Sequence, residues 1–221
     1  MKLISQNTMG KILNWSYDKA INGLPAFSSA YDLAQEYKTK YPNNLEKQID
    51  SFINWQCARA GLSGAITGIG GFATMALTLP ANITSVIAIQ LRMIATIAVL
   101  CGYDVKSDKV QTLVYCCLVK QSVEDMLKTA GIKITQKIGV KLIQRIPMDI
   151  IKIINKAVGF KLITKFGQKG IINLGKAVPL FGAVLGASID VASTKAIGSF
   201  TKKVLMDENT KQNFIDAEIV E

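Results

Sequence analysis

Ala60-Gly61-Leu-Ser-Gly64-Ala-Ile-Thr-Gly68-Ile-Gly70-Gly71-Phe-Ala-Thr-Met-Ala-Leu-Thr-Leu79-Pro80-Ala-Asn82-Ile-Thr-Ser-Val-Ile-Ala-Ile-Gln90-Leu91 is a run of 32 residues without a charge, bounded by Arg59 and Arg92. Five glycines fall in its first third. Each costs a helix interior roughly 1 kcal/mol relative to alanine, so a helix here needs an offsetting contact. Gly61, Gly64, Gly68 and Gly71 are spaced 3, 4 and 3, which places them on one helical face. A ridge without side chains lets a second helix approach closely, the packing logic of small residues between membrane helices. Pro80 then breaks or restarts the helix. A second apolar segment runs from Ala81 to Gly102, interrupted by Asn82, Gln90 and Arg92. The expectation is an apolar helical hairpin. Whether it is the core of an all-α domain or inserts into a bilayer stays open. Its first arm, Ala60 to Leu79, has the 20 residues a span needs, whereas Arg92 at mid-bilayer would cost at least about 2.5 kcal/mol.

Outward from the hairpin, the pattern stays helical and no alternating strand is evident. Thr8 is the predicted cap of a helix ending near Asn22, with Gly23 and Pro25 as stop signals. Ser28 or Ser29 caps a second helix to about Thr39. Asn43 or Asn44 starts a third, carrying Leu45, Ile49, Phe52 and Ile53 at helical spacing. Beyond Gly102-Tyr103-Asp104, Ser107 is expected to cap one helix from Asp108 to about Thr129, ended by Gly131. Ile132–Ile146 and Met148–Phe166 follow, separated by Pro147, the latter with a kink expected at Gly159. Ala177 to Leu205 holds a second small-residue patch around Gly182 and Gly186. Its uncharged part is too short to span a bilayer. The fold class expected is an all-α multi-helix bundle around the glycine-rich hairpin. It divides into amphipathic helices over 1–58, a main helical domain over 59–205 and a poorly ordered acidic tail over 206–221.

Charge is concentrated. The chain carries a net +10, and between Lys128 and Lys176 eleven basic residues face one acid, Asp149. Lys133, Lys137, Lys141 and Arg145 recur every four residues, as do Lys152 and Lys156, and Lys161, Lys165 and Lys169. Isoleucines and leucines lie between them. One lysine-rich face and one apolar face make the pattern of a helix lying in a membrane interface. Anionic lipid attracts such a segment by about 1 kcal/mol per nearby cation. A solvated helix face is the plainer reading of the same pattern. Nucleic acid ranks below both, because the stretch has little arginine and only Phe160 and Phe166 for stacking.

Several chemistries are excluded. The chain has no histidine, which removes Ser-His-Asp and Cys-His catalysis and the commonest metal ligand. Gly68-Ile-Gly70-Gly71-Phe-Ala73 fits a dinucleotide fingerprint formally, but no strand precedes it and no acid follows at the required distance. Cys57, Cys101, Cys116 and Cys117 form no Cys-x-x-Cys pair. Residues 1–22 contain Lys2, Lys11, Asp18 and Lys19 and no apolar run, so no secretory leader is expected and the thiols read as reduced and buried. Neither a metal nor a cofactor is expected. Arg92 and Asp190 could pair across packed helices. Together with Asp104 and Thr194 they are the weak candidates for catalysis.

Gly70-Gly71, Leu79-Pro80-Ala81, Gln90-Leu91-Arg92 and Gly102-Tyr103-Asp104, in that order, resemble the EcsC protein family. So does the block Val178-Pro179-Leu-Phe-Gly182-Ala-Val-Leu-Gly186, followed by Asp190-Val-Ala-Ser-Thr194-Lys-Ala-Ile197-Gly198. The position after Pro80-Ala81 is often aspartate in that family and is Asn82 here, which puts a carboxylate role there in doubt. The family takes its name from a protein encoded beside an ABC transporter linked to secretion and competence. The resemblance implies a bacterial intracellular, membrane-associated protein and supplies no catalytic residues. The expected function is that of a non-enzymatic accessory protein on the inner face of the cell membrane. It would bind an anionic membrane surface or a membrane protein such as a transporter, with self-association left open. The alternatives are a hydrolase-like enzyme with a polar pocket between the glycine-rich helices, and a pore-forming, effector-type protein.

Overall fold

The computed structural model describes residues 5–25, 27–61, 81–129, 131, 146–166 and 191–206. Every regular element among them is a helix, and the only strand-like feature among them is an isolated bridge between Leu24 and Phe27. The chain forms an all-α bundle of α1 (Gln6–Asn22), α2 (Ala30–Lys40), α3 (Leu45–Gly61), α4 (Ala81–Leu100), α5 (Asp108–Leu118), α6 (Val123–Thr129), α7 (Met148–Phe166) and a last helix over 191–206.

The helix ends follow local hydrogen-bonding chemistry. Ser5, not Thr8, caps α1: its Oγ accepts the Thr8 N–H at 3.1 Å, which makes Thr8 the third helical residue. Sequence spacing could not separate the two, since both are capping types. Gly23 ends α1 at φ 79°, and a Cβ there would lie 3.0 Å from the Phe27 carbonyl oxygen. Ser29 caps α2 in a full capping box, exchanging hydrogen bonds with Asp32 at 3.0 Å each way. Asn44 starts α3 by accepting the Lys47 N–H at 2.9 Å. Ser107 is the N-cap of α5, though its hydroxyl makes no capping bond.

The single helix expected over Asp108–Thr129 is two helices. Lys120 takes φ 53°, and the Gln121 N–H reaches back to the Cys116 carbonyl at 3.0 Å. That is the helix-terminating turn usually built on glycine. Ser122 and Asp125 then form a new capping box for α6. With lysine in the glycine position, the break left no compositional mark.

At the centre stands α4. From Ile87 to Leu100 nearly every side chain is buried, on all faces of the helix, as expected for an element enclosed by others. It packs against α1, α2, α3 and α5. Thus the second arm of the expected hairpin is core. Among the described residues no helix is long and apolar enough to cross a membrane. α7 lies across α1, α5 and α6 and continues through Gly159. The last helix runs along α3, where Lys202 Nζ reaches Asp50 at 2.8 Å and Glu46 at 2.9 Å, and Lys195 reaches Asn54 at 2.9 Å. Several expectations lie outside the described residues: the glycine ridge at Gly64, Gly68, Gly70 and Gly71, Pro80, the helix over 132–145, the patch at Pro179, Gly182 and Gly186, Asp190, and the acidic tail.

Candidate functional site

α7 carries the first candidate surface. Its inward residues Ile151, Ile154, Val158 and Leu162 are buried in the bundle. The apolar face predicted to lie in a membrane is therefore spent on the core, because a helix stripe is buried wherever neighbouring helices offer a surface. The outward side is nevertheless not purely polar. Met148 is 43%, Ile153 40% and Phe160 55% exposed, and they share that side with the exposed Lys152 and Lys156. Lys152 sits 3.5 Å from Asp149. Lys161 is half-buried and its charge acts on Asp125. Of the other basic residues in the series, Lys133, Lys137, Lys141, Arg145 and Lys169 lie outside the described residues, and Lys165 is described only as part of the α7 backbone.

Arg92 occupies a different environment. It is 6% exposed, within α4. Its guanidinium carbon lies 3.8 Å from the centroid of the Phe27 ring, and Nη1 donates to the Ser28 carbonyl at 3.2 Å. The side chain therefore clamps the turn between α1 and α2 onto the central helix. Burial, and secondarily the like charge of Arg59, pull its pKa down to about 10, which leaves it charged at neutral pH. Nε has no hydrogen-bond partner, and among the described residues no carboxylate pairs with it. Gln90 Oε1, also in α4, is buried without a partner as well.

The remaining motif residues serve the packing. Gly102 and Tyr103 close α4: the Tyr103 N–H reaches the Ala98 carbonyl at 3.0 Å, and the Tyr103 hydroxyl donates to the Leu205 carbonyl at 3.3 Å. Asp104 is exposed and accepts the Lys106 N–H at 3.0 Å. Arg92 and Asp104 do not meet. Between Arg92 and Leu100 alone lie two turns of α4, about 12 Å of rise. Asp190 lies outside the described residues. Asn82 is the second residue of α4, and Gly61 ends α3. Thr194 is buried, as is Gly198, which presses on Ile53 of α3.

The four cysteines form no disulfide, and three are buried. Burial pushes Cys101 and Cys117 up to about 12, and Cys116 well above its ordinary value. None of these three is a thiolate at neutral pH, so none offers a nucleophile. Among the described residues no cluster of acidic or cysteine side chains could hold a metal ion.

A second candidate lies beside α7, where α1 crosses it. A cleft of about 450 Å³ opens between the two helices, with Tyr115 of α5 on its wall. Lys11 comes from α1 and Lys152 and Lys156 from α7; no acid lines it. Gln111 donates to the Tyr115 hydroxyl at 2.7 Å, which in turn donates to Asn14 Oδ1 at 3.1 Å. Burial raises the Tyr115 pKa, so the phenol keeps the proton it donates. Of these residues, spacing along the sequence marks only Lys152 and Lys156. Asn7, Lys11 and Asn14 recur at spacings of 4 and 3 on one face of α1, a polar stripe that could have been noticed. Asn155 interrupts an isoleucine run and was the other available sign.

No curated protein and no solved structure matches the chain. A model of the EcsC protein family matches residues 11–205, from the first helix to the end of the last described one. Motif residues within that range sit at packing positions in the structure: Gln90 and Arg92 are buried in the central helix, Gly102 and Tyr103 close it, and Gly198 presses on α3. The chain belongs to the EcsC protein family.

Proposed function

We propose that this protein is a non-enzymatic accessory protein that attaches reversibly to anionic membrane surfaces through the outward side of α7. The observation that carries the reading is the exposure of Met148, Ile153 and Phe160 beside Lys152 and Lys156. Four large apolar side chains are notably exposed among the described residues, and three of them belong to this one helix. An aromatic or aliphatic tip gains by entering the headgroup boundary, where the apolar part leaves water. Each lysine near an anionic leaflet adds about 1 kcal/mol. Two lysines and three partly exposed apolar groups give weak, salt-sensitive attachment rather than permanent insertion.

Vesicle co-sedimentation tests this. The protein is expected to pellet with vesicles containing anionic lipid and to stay in solution with zwitterionic vesicles, with binding falling as salt is raised. Phe160→Ser and the pair Lys152→Glu, Lys156→Glu should each weaken binding without changing the far-ultraviolet spectrum. Equal partition with both vesicle types, or unchanged binding in both variants, would rule the reading out.

A further inference from the structure

We infer that the cleft between α1 and α7 is a binding site for a phosphate group carried on a polyhydroxylated small unit, either free or as a lipid headgroup. Three features of the cleft converge on that chemistry.

The first is charge. Lys11, Lys152 and Lys156 line the cleft and no carboxylate does; Asp149, the one acid paired to Lys152, lies outside it. The anionic oxygens of a phosphate, as monoester or diester, can face several ammonium groups at once, whereas nothing built into the cleft does. The second is an unused acceptor. Asn155 lines the cleft, and its Oδ1, covered in this structure, has no hydrogen-bond partner; a turn of the amide toward the cleft would give it one. An orphan carbonyl oxygen calls for a donor. Phosphate bears none at neutral pH beyond a single proton, but a neighbouring hydroxyl supplies one. On the opposite wall, Asn14 has its Oδ1 occupied by Tyr115, which orients the side chain and leaves its amide N–H groups as donors.

The third feature is space held open by glycine. Gly10 and Gly159 both line the cleft, one from each helix. A Cβ on Gly10 would meet nothing within 4 Å, and one on Gly159 would make only an ordinary contact of 3.9 Å with Met9. Neither has the positive φ that would demand glycine. Two helix-interior glycines that neither packing nor backbone geometry requires weaken their helices for no gain in the fold. What they do provide is room in the cleft. Its volume falls within the range of small-molecule sites and suits a glycerol- or sugar-sized phosphate.

The inference does not rest on membrane attachment: Ile153 and Phe160, the apolar residues farthest around the helix from the cleft, take no part in it, although Lys152 and Lys156 border both surfaces. The test is a titration of the full-length protein with glycerol 1-phosphate, followed by backbone amide chemical shifts, with sulfate as a dianion lacking hydroxyls. Saturable shifts are expected in α1 and α7, with a dissociation constant on the order of 1 mM, and weaker binding of sulfate. Gly10→Leu fills the cleft without altering charge and should weaken binding at least about tenfold. Asn155→Ala should erase the preference for glycerol 1-phosphate over sulfate. Parallel titrations with phosphatidylglycerol vesicles assign the source. Tighter binding to vesicles that Gly10→Leu abolishes marks a lipid headgroup; unchanged vesicle binding in that variant with loss of the soluble ligand marks a free phosphate. Absence of saturable shifts, or equal binding by wild type and a folded Gly10→Leu protein, would overturn the assignment. If Gly10→Leu does not fold, Lys11→Glu, on the α1 wall of the cleft, serves instead, with the same loss expected and unchanged binding again overturning it.

Discussion

Gly198 and Ile53 meet without room for a methyl group: a Cβ on Gly198 would lie 2.9 Å from Ile53 Cγ2 and 3.0 Å from its Cγ1. Ile53 is β-branched, 2% exposed and fixed in the core, so it cannot swing aside cheaply. Overpacking of this kind costs about 1–3 kcal/mol, partly offset by the roughly 1 kcal/mol that alanine gains over glycine in a helix. Gly198→Ala is therefore expected to destabilise the protein by about 1 kcal/mol. In an Ile53→Ala background the same substitution should become neutral or stabilising, giving a coupling of at least about 1 kcal/mol in a urea-denaturation double-mutant cycle. Additive effects would show that the two helices do not press on each other here.

Arg92 gives a test of a charge held for packing. Its guanidinium carbon stands 3.8 Å from the centroid of the Phe27 ring, and the planar group packs on an aromatic face as an ammonium cannot. Arg92→Lys should lose about 1–2 kcal/mol, because the more strongly hydrated lysine is buried without a described counter-charge. Arg92→Met keeps length and contact with the ring and should stay within about 1 kcal/mol of wild type. Chemical denaturation of the three proteins checks the order. A methionine variant less stable than the lysine variant would mean that the charge itself is needed.

At Lys120 the expected change is a gain. A non-glycine residue at φ 53° is strained by roughly 1 kcal/mol relative to glycine at the end of a helix. Lys120→Gly should raise stability by about 0.5–1 kcal/mol in spite of the extra freedom of the unfolded chain, read as a higher urea midpoint at unchanged slope. A loss would mean that the lysine side chain makes a contact outweighing its backbone strain.

The capping box of α2 carries a pH signature. Hydrogen bonds from the Ser29 hydroxyl and then from the Ser29 N–H hold the Asp32 carboxyl below its ordinary value. A depressed acid stabilises the fold at pH above the unfolded value of about 3.9, and that contribution disappears as pH falls below it through the folded value. Ser29→Ala should cost about 1 kcal/mol at neutral pH. The stability gap between wild type and Asp32→Ala should be constant from pH 7 to about 5 and narrow below pH 4. A gap that widens on acidification would contradict the assigned hydrogen bonds.

Much of the local structure could be read in advance because its causes are local. Ser29, Asn44, Gly23 and Gly102 mark helix ends through hydrogen bonds spanning three to five residues, and those spacings are visible in a linear chain. Lys120 was invisible for the complementary reason. Its left-handed turn is taken by a residue that does not prefer that geometry, so no residue type announces it. The cleft was harder still. Tyr115 and Asn14 are 101 positions apart and meet through one hydrogen bond, and neither is unusual in its own helix.

The order of the residues alone thus determined an all-α chain, its caps at Ser29, Asn44 and Ser107, its basic second half and the absence of histidine chemistry, since propensity, periodicity and composition are properties of short windows. Tertiary packing alone decided that α4 is enclosed on every side, that the inward isoleucines of α7 face protein, and that Lys11 and Asn14 share a cleft with Lys156. The physical reason is that burial and electrostatic environment depend on which surfaces meet. An apolar stripe specifies that it will be covered, and the remainder of the fold selects what covers it.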